Sequence, residues 1–554
     1  MKRFFCLIFF IGIFSFIQAQ EDVIEEDSVF LPDLTTVISG EKSNVSDSAI
    51  PDFSSALPSN LDENLTLPDL HSVNISNSDD ANFLNTQENE DNRSVFMEGE
   101  IAFGLPVVFL GDFSVYSIDS SPFSVRFKHD SVTGYSFNSF EDGYFTNDTI
   151  LSATKTINGK KILWFLGGTY EAWNIGLQSK SPLLANINRR NIVINSSFSV
   201  PIGEKFSFSL DLNGDVFSRY AGFSGLQGDA AENEKTSLSF AKINPIIDFS
   251  FALDNFTIGL DGMWYSGLFF KSEDASIHRG NIGLFATWLS DFISVRGKTS
   301  AVFVPFGTGS EKIKVIPPFY IGVNLFLPVA FSSMPLSIDL EGGLSSCMFN
   351  IENLEKENPF TSFTPEVFVQ NVEQSDWYGS VLVSIPIKSV FSIDLNAIYR
   401  KTAFGNGLIS SFYEEIGNKN TGLFYSKVVD RQELLSQVGV SGVFNDFSAS
   451  LNWTANWLYV PYINASQNIS VVFSYLSNNG KFALDFEFME NFGKNVFDFT
   501  PIINLNTSFR IGDAMKIALN LKDCVKLFTG KDRVFVEPYV LPGGIVTASI
   551  QFFY

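Results

Sequence analysis

The chain closes on GIVTASIQFFY, residues Gly544–Tyr554. Val546, Ala548, Ile550, Phe552 and Tyr554 occupy alternate positions, and Thr547, Ser549 and Gln551 between them are polar. A period of two means a strand with one apolar face, because successive side chains on a strand point to opposite sides. Chain ends fray when nothing holds them. A terminal strand with an aromatic stripe therefore needs an apolar surface outside and a partner strand beside it.

The same period runs back to Val95. MEGEIAFGL sets Met97, Gly99, Ile101, Phe103 and Leu105 against Glu98, Glu100, Ala102 and Gly104. FSVRFKH sets Phe123, Val125 and Phe127 against Ser124, Arg126 and Lys128. KFSFSLDLNG (205–214) and PIINLNTSFRI (501–511) repeat the pattern, and helical spacing explains none of these stretches. Phenylalanine makes up 59 of 554 residues, well above the usual share, yet only 18% of residues are charged. After residue 20 there is no apolar run near the ~20 residues that a membrane helix needs.

The connections alternate in length. Tight turns fall at 254–256, 290–292, 388–390, 445–447, 478–480 and 512–514, with others near Ser120, Asn158, Pro201 and Ser333. Longer polar connections lie between them, among them 173–190, 217–235, 267–278, 348–362, 402–433 and 526–543. Short turns at one end and long loops at the other mark a transmembrane barrel. Ten hairpins, with a first and a last strand, predict an all-β antiparallel barrel of about 22 strands, within a range of roughly 18–24. The tight turns would face the periplasm, both termini with them, and the long loops the cell exterior. The barrel spans residues 95–554.

Two segments precede it. MKRFFCLIFFIGIFSFIQAQ (1–20) reads as an export signal, with Lys2 and Arg3 before an apolar stretch from Phe4 to Ile17 and Ala19 at the cut. Cys6 would leave with it. Residues 21–94 hold 17 Asp or Glu against Lys42 and Arg93, so 17 − 2 = 15 of the 24 net negative charges lie there. Such a segment buries too little apolar area to order itself and reads as a disordered acidic linker. Leu31–Thr36 (LPDLTT), Ile50–Ser55 (IPDFSS) and Leu67–Ser72 (LPDLHS) repeat an apolar-Pro-Asp motif, either docking sites for a periplasmic partner or biased spacer composition.

Three resemblances add to this reading. The terminal strand, with Ile550, Phe552 and Tyr554 on its apolar face, resembles the C-terminal insertion signal read by the bacterial barrel-assembly machinery. LTTVISG (34–40) is similar to the energy-coupling box of TonB-dependent transporters. The linker and the stretch EGEIAFGLPVVFLGDFSVYSIDSSPFSVRFKHDS resemble outer-membrane proteins of spirochaetes such as treponemes, from which no function transfers. Together they imply an outer-membrane barrel in contact with lipid.

The polar strand face carries Glu98, Glu100, Arg126, Lys128, Asp211, Asp261, Arg296, Lys298, Asp339, Glu341, Asp394, Arg400, Asp485, Glu487, Arg510, Lys516 and Lys522. Charge is costly on a lipid-facing surface, so these side chains are expected to line the lumen. Catalysis finds little support. His71, His129 and His278 are the only histidines, none at metal-ligand spacing, and there is no nucleophile elbow or phosphate loop. No enzyme activity, cofactor, metal or nucleic acid is expected. Cys347 and Cys524 both lie in strand-like sequence, with no basis for asserting a bridge. The first functional expectation is a porin-like channel for small solutes. The alternatives are a plugged or partner-coupled, TonB-dependent-like transporter, or a surface adhesin or structural barrel.

Overall fold

A computed structural model describes residues 95–554, apart from 119–120, 136–137, 160–161, 204, 224–236, 271–274, 306–312, 330–331, 333, 371–372, 388–389, 406, 412–420, 459–465 and 494–497. The export signal, the acidic linker with its three motifs, the LTTVISG stretch and His71 lie outside the described residues.

Antiparallel pairing runs from Val95–Leu105 to Ile545–Phe553, and these two strands pair with each other. The sheet counts 23 strands, but Ile313–Ile316 only extends the pairing of Ile293–Pro305, so 22 strands encircle the closed barrel. Ten hairpins alternate with longer connections, and the ten expected tight turns fall within those hairpins. The turn residues near Ser120, at 388–389 and at Ser333 themselves lie outside the described residues. One connection at the long-loop end is tight: Val95–Leu105 and Val107–Ser117 are separated by Pro106 alone.

Closure follows from register. Glu98 pairs with Phe553, Glu100 with Gln551 and Ala102 with Ser549. Beyond the strand end, Met97 and Tyr554 exchange two backbone hydrogen bonds of 2.9 Å. Phe552 and Ile550 face outward, 37% and 42% exposed, while Ser549 and Gln551 are buried on the opposite face. Pairing the first strand with the last removes the edges a large sheet would otherwise have, which is what a hydrocarbon environment demands.

The outer face is layered. Beside the tight turns it exposes Phe206, Phe256, Trp288, Phe391, Phe447, Phe482, Phe509 and Phe552. Toward the long connections it exposes Trp264, Trp377, Tyr399 and Trp457. Along the strand Phe391–Thr402, Phe391 and Tyr399 are eight residues apart, roughly 26 Å at a strand's rise of ~3.3 Å per residue. Leu395 lies between them. Two aromatic girdles flanking an apolar band of this height match a bilayer.

Strand length separates wall from rim. Leu184–Ile202 has 19 residues and Phe206–Phe223 has 18, against the ~9–11 that cross a membrane. The hairpin turn at Gly203 fixes one end of both strands, so the excess rises at the other. There Arg190, on the outer face, lies 5.2 Å from the Tyr220 ring, and charge on the outside places this level beyond the apolar band.

Candidate functional site: a cap built from the long connections

The raised rim is the wall of a second core. The connection 349–372 forms two short helices, α1 (Ile351–Glu357) and α2 (Pro365–Gln370). Asn350 caps α1, its side chain accepting from the Glu352 and Asn353 amides at 3.1 and 3.2 Å. Phe349, Ile351, Phe363, Phe368 and Val369 then pack with Ala403 and Ile409 against Phe217, Phe240, Tyr265, Phe269, Val302 and Leu344 of the wall. A second connection, 403–431, supplies Ala403 and Ile409, and a third, 523–544, contributes α3 (Cys524–Thr529) and the hairpin Arg533–Val536/Tyr539–Leu541.

The three connections meet at one point. The Phe360 ring stacks on Tyr539 at 3.8 Å, and the Tyr539 hydroxyl donates to the Gly422 carbonyl at 2.6 Å. The Phe424 amide donates to the Phe360 carbonyl at 3.0 Å. Gly422 has φ of +71°, and a Cβ there would lie 3.0 Å from both the Tyr539 hydroxyl and the Lys180 carbonyl, so the approach needs glycine. Beneath them lie Ile175, Leu177, Leu184, Ile187 and Ala221 of the rim. Gln178 reaches across to Val540, accepting from its amide at 3.0 Å and donating to its carbonyl at 2.5 Å. Phe360, Phe363, Phe368, Phe424 and Tyr539 are almost wholly buried. At about 1.5–3 kcal/mol per buried ring, they supply on the order of 10 kcal/mol toward ordering these segments.

Buried charge fixes how the cap sits. Arg189 and Arg219 face each other in register on the two raised strands. Arg189 Nε donates to Glu355 Oε2 at 2.9 Å, and Arg219 Nη1 donates to Glu355 Oε1. The same guanidiniums donate to the carbonyls of Pro359 at 2.6 Å and Phe363 at 2.8 Å. None of the three charged side chains is more than 1% exposed. One helical turn earlier on α1, Glu352 meets Lys242 at 3.0 Å, and Lys242 also meets Asp215 at 3.2 Å. Around the rim, Arg279 pairs with Glu373 at 2.8 Å and Arg431 with Glu433 at 2.5 Å. Arg533 holds Asp523 at 2.8 Å, and Lys526 of α3 holds Asp498 at 2.8 Å.

Partial burial pushes the Asp498 carboxyl up. The hydrogen bonds from Lys526 and Thr500 and the nearby Arg533 charge outweigh it and hold the group down at about 2. A depressed carboxyl pKa stabilises the fold fully above its ordinary value of ~4, and that stability is lost as pH falls toward 2. Protease resistance of segment 523–541 in the intact protein should therefore hold from pH 7 to 4 and fall below about pH 3. Asp498→Asn should already be protease-sensitive at pH 7.

All seventeen charged positions read from the sequence share the face on which the cap packs, with Arg400 at the level of the rim. Those that pair reach either the adjacent strand or, as Lys298, Arg296 and Arg510 do, the strand beyond it. Arg126 binds Asp112 through two hydrogen bonds of 3.0 and 2.6 Å, and Asp112 in turn faces Glu100. Lys298 meets Asp261 at 3.2 Å, and Arg400 meets Glu433 at 3.7 Å. Tyr116 donates to Glu98 at 2.7 Å, Ser384 to Asp394 at 2.6 Å and Asn504 to Glu487 at 2.7 Å. Arg510 lies over the Phe553 ring at 5.6 Å. Lys128, Asp211, Asp485, Lys516 and Lys522 follow on the same face by register. The tightest group is Arg296, which contacts Asp339 at 2.8 Å and Glu341 at 2.9 Å, while the Tyr378 hydroxyl donates to Glu341 at 2.9 Å. Arg296→Ala strands two buried carboxylates and should lower unfolding stability by about 3–5 kcal/mol in a urea titration. Arg296→Lys should recover only part, lacking the fork that bridges both acids.

Three sequence readings change. The connection at 348–362 was expected to be a polar loop; it extends to 372 and carries a buried aromatic core. Cys524 begins α3 rather than lying in a strand, because the strand before it ends at Lys522. Neither Cys347 nor Cys524 is in a disulfide. The sequence pattern does not single out the cap's Arg189, Arg219, Glu352 and Glu355: 173–190, 217–235 and 348–362 read as polar connections, and the structure carries strands into the first two and a capped helix in the third. His129 bonds Thr149 and His278 bonds Ser266, at 2.8 and 3.1 Å. Among the described residues no group of His, Cys, Asp and Glu is arranged to hold a metal ion.

No protein-family model matches the chain, nor does the sequence of any curated protein. Solved structures do match in fold. The copper transporter OprC superposes with a TM-score of 0.61 at 10% identity, covering 83% of this chain and 80% of its own. The FrpB iron transporter from Neisseria meningitidis (F5-1 variant) gives 0.60 at 7% identity, covering 84% and 83%. The siderophore receptor PirA from Acinetobacter baumannii gives 0.61 at 9% identity, covering 83% and 81%. At these identities the likeness is one of fold: a large closed barrel.

Proposed function

We propose that this protein is an outer-membrane transporter that is closed at rest and opened by a ligand or a periplasmic partner. The observation that carries this is the cap. A freely open porin has no use for three connections that share an aromatic core and bury paired charges across its mouth. The transporters and the receptor named above share its barrel and support the partner-coupled reading over the porin-like one expected first. In this reading the long connections face the cell exterior. The polar wall lines a watery lumen beneath the cap, and residues 21–94 reach a partner in the periplasm.

Planar-bilayer recording of the full mature chain tests closure. The expected result is no steady conductance, with brief openings only. A stable, always-open channel would restore the porin reading.

Thiol labelling tests the lumen. The Arg126 side chain is 40% exposed, and its neighbour Val125 is 39% exposed on the opposite face. With Cys347 and Cys524 replaced by serine, Arg126→Cys should react with a small water-soluble maleimide in proteoliposomes at least tenfold faster than Val125→Cys. Lipid suppresses both access and thiolate formation at the outer site. Equal rates would remove the watery lumen from this account.

A further inference from the structure

We propose that Arg189 and Arg219 form a binding site for a polycarboxylate solute, and that Glu355 occupies it in the closed state as a tethered stand-in. This inference rests on the transport reading. The two arginines stand opposite each other on adjacent wall strands, fully buried. Guanidiniums held side by side away from water require an anion between them, and the planar fork of each fits a carboxylate. The wall does not provide that anion. It comes from α1, on a connection joined to the wall only at its two ends.

Charge balance favours the same conclusion. The wall contributes Arg189, Arg219 and Lys242 against Asp215 and Glu171, and α1 contributes Glu352 and Glu355 against Lys356. With α1 seated, four cations meet four carboxylates. With α1 lifted, the wall keeps one net positive charge, and the Arg189–Arg219 pair loses its only carboxylate on that helix, in a partly enclosed space where the field of each is strong. Glu352 and Glu355 are three residues apart on one helix face, so a single movement of α1 withdraws both. The stand-in also leaves donors unused: Nη1 of Arg189, on a fully buried side chain, donates to no protein acceptor. A ligand with more carboxylate oxygens than Glu355 would engage it. This selects a di- or tricarboxylate over a lone carboxylate.

Citrate is the probe. Binding to the detergent-solubilised full chain is measured by equilibrium dialysis at low salt, with heat-modifiable gel migration confirming a folded barrel in each variant. Removing the tethered competitor should tighten binding, so Glu355→Ala should bind citrate at least tenfold more tightly than the unmodified protein. Glu355→Gln should act in the same direction and serves if the alanine variant misfolds. Adding Arg219→Gln to either should abolish the gain. Equal citrate affinity with and without Glu355, a gain that survives Arg219→Gln, or tighter binding of inorganic phosphate than of citrate would each overturn the proposal. Citrate bound in the expected pattern but never carried across a bilayer would remove the transport reading and keep the site. Solute flux indifferent to Glu355, with no change in citrate binding, would keep transport and remove the site.

Discussion

Replacing Glu355 by alanine is expected to raise the open probability of the barrel in planar bilayers by about a hundredfold or more. The carboxylate is the shared acceptor of two arginines that are almost fully buried. Removing it leaves two like charges facing each other without compensation, at about 3–5 kcal/mol for a broken buried network. Each 1.4 kcal/mol is a factor of ten in an equilibrium, so a closed–open balance set by the cap shifts by two to three orders of magnitude. The barrel itself should persist, because its 22 strands pair independently of α1. Phe424 and Tyr539, which meet edge to face, should keep the other two connections associated, so the expected species is an opened cap rather than an unfolded one. A control separates lost charge balance from lost packing. Glu355→Leu combined with Arg189→Met and Arg219→Met replaces the ionic group by apolar bulk, a change that is often neutral or stabilising. That triple variant should stay closed. If Glu355→Ala is as silent as the unmodified protein, the cap is not held by this carboxylate.

The barrel was legible because its physics is local and repeated. Val95–Leu105, Phe206–Leu212 and Val546–Tyr554 each announce two faces through a period of two, and turns such as Asp254–Asn255 and Asn478–Gly480 mark the short end. Strand number, closure and the placement of Lys298 or Glu341 on one shared face follow from that pattern plus alternation of connection length. The cap was not legible because its contacts join residues far apart in the chain. Arg189 meets Glu355 across 166 positions, and Gln178 meets Val540 across 362. Nothing near Glu355 distinguishes it from the charged residues of a solvated loop. Its neighbours Glu352 and Lys356 look equally suited to water, and in fact Glu352 is buried while Lys356 is exposed. The sequence pattern assigned 173–190 and 217–235 to connections, whereas the structure carries the strands into them to lengths of 19 and 18 residues, with Arg189 and Arg219 on the inner face of the excess.

Deleting Phe552–Tyr554 should prevent formation of the closed barrel altogether, whereas Tyr554→Asp should spoil only its assembly in cells. The deletion removes backbone partners on both sides of the seam. Phe553 pairs with Glu98 and donates to the Ala514 carbonyl at 3.0 Å, Phe552 pairs with Gly99 and Met515, and Tyr554 exchanges two hydrogen bonds with Met97. In lipid each stranded amide or carbonyl costs several kcal/mol, because no water replaces the lost partner. The truncated chain should show no heat-modifiable band after refolding in detergent and none in membranes. Tyr554→Asp keeps every one of those backbone partners, and the Tyr554 side chain is 71% exposed, so its loss removes little packing. Refolding in detergent should therefore proceed as in the unmodified protein. In cells the outcome should differ, because the C-terminal aromatic is the feature that resembles an insertion signal. The Asp variant should be exported and then degraded before it enters the membrane, and Tyr554→Phe should insert normally. If Tyr554→Asp reaches the membrane at the usual level, the terminal aromatic is an interface anchor and the assembly signal lies elsewhere on the strand. If it also fails to refold in detergent, the ring contributes to closing the seam itself.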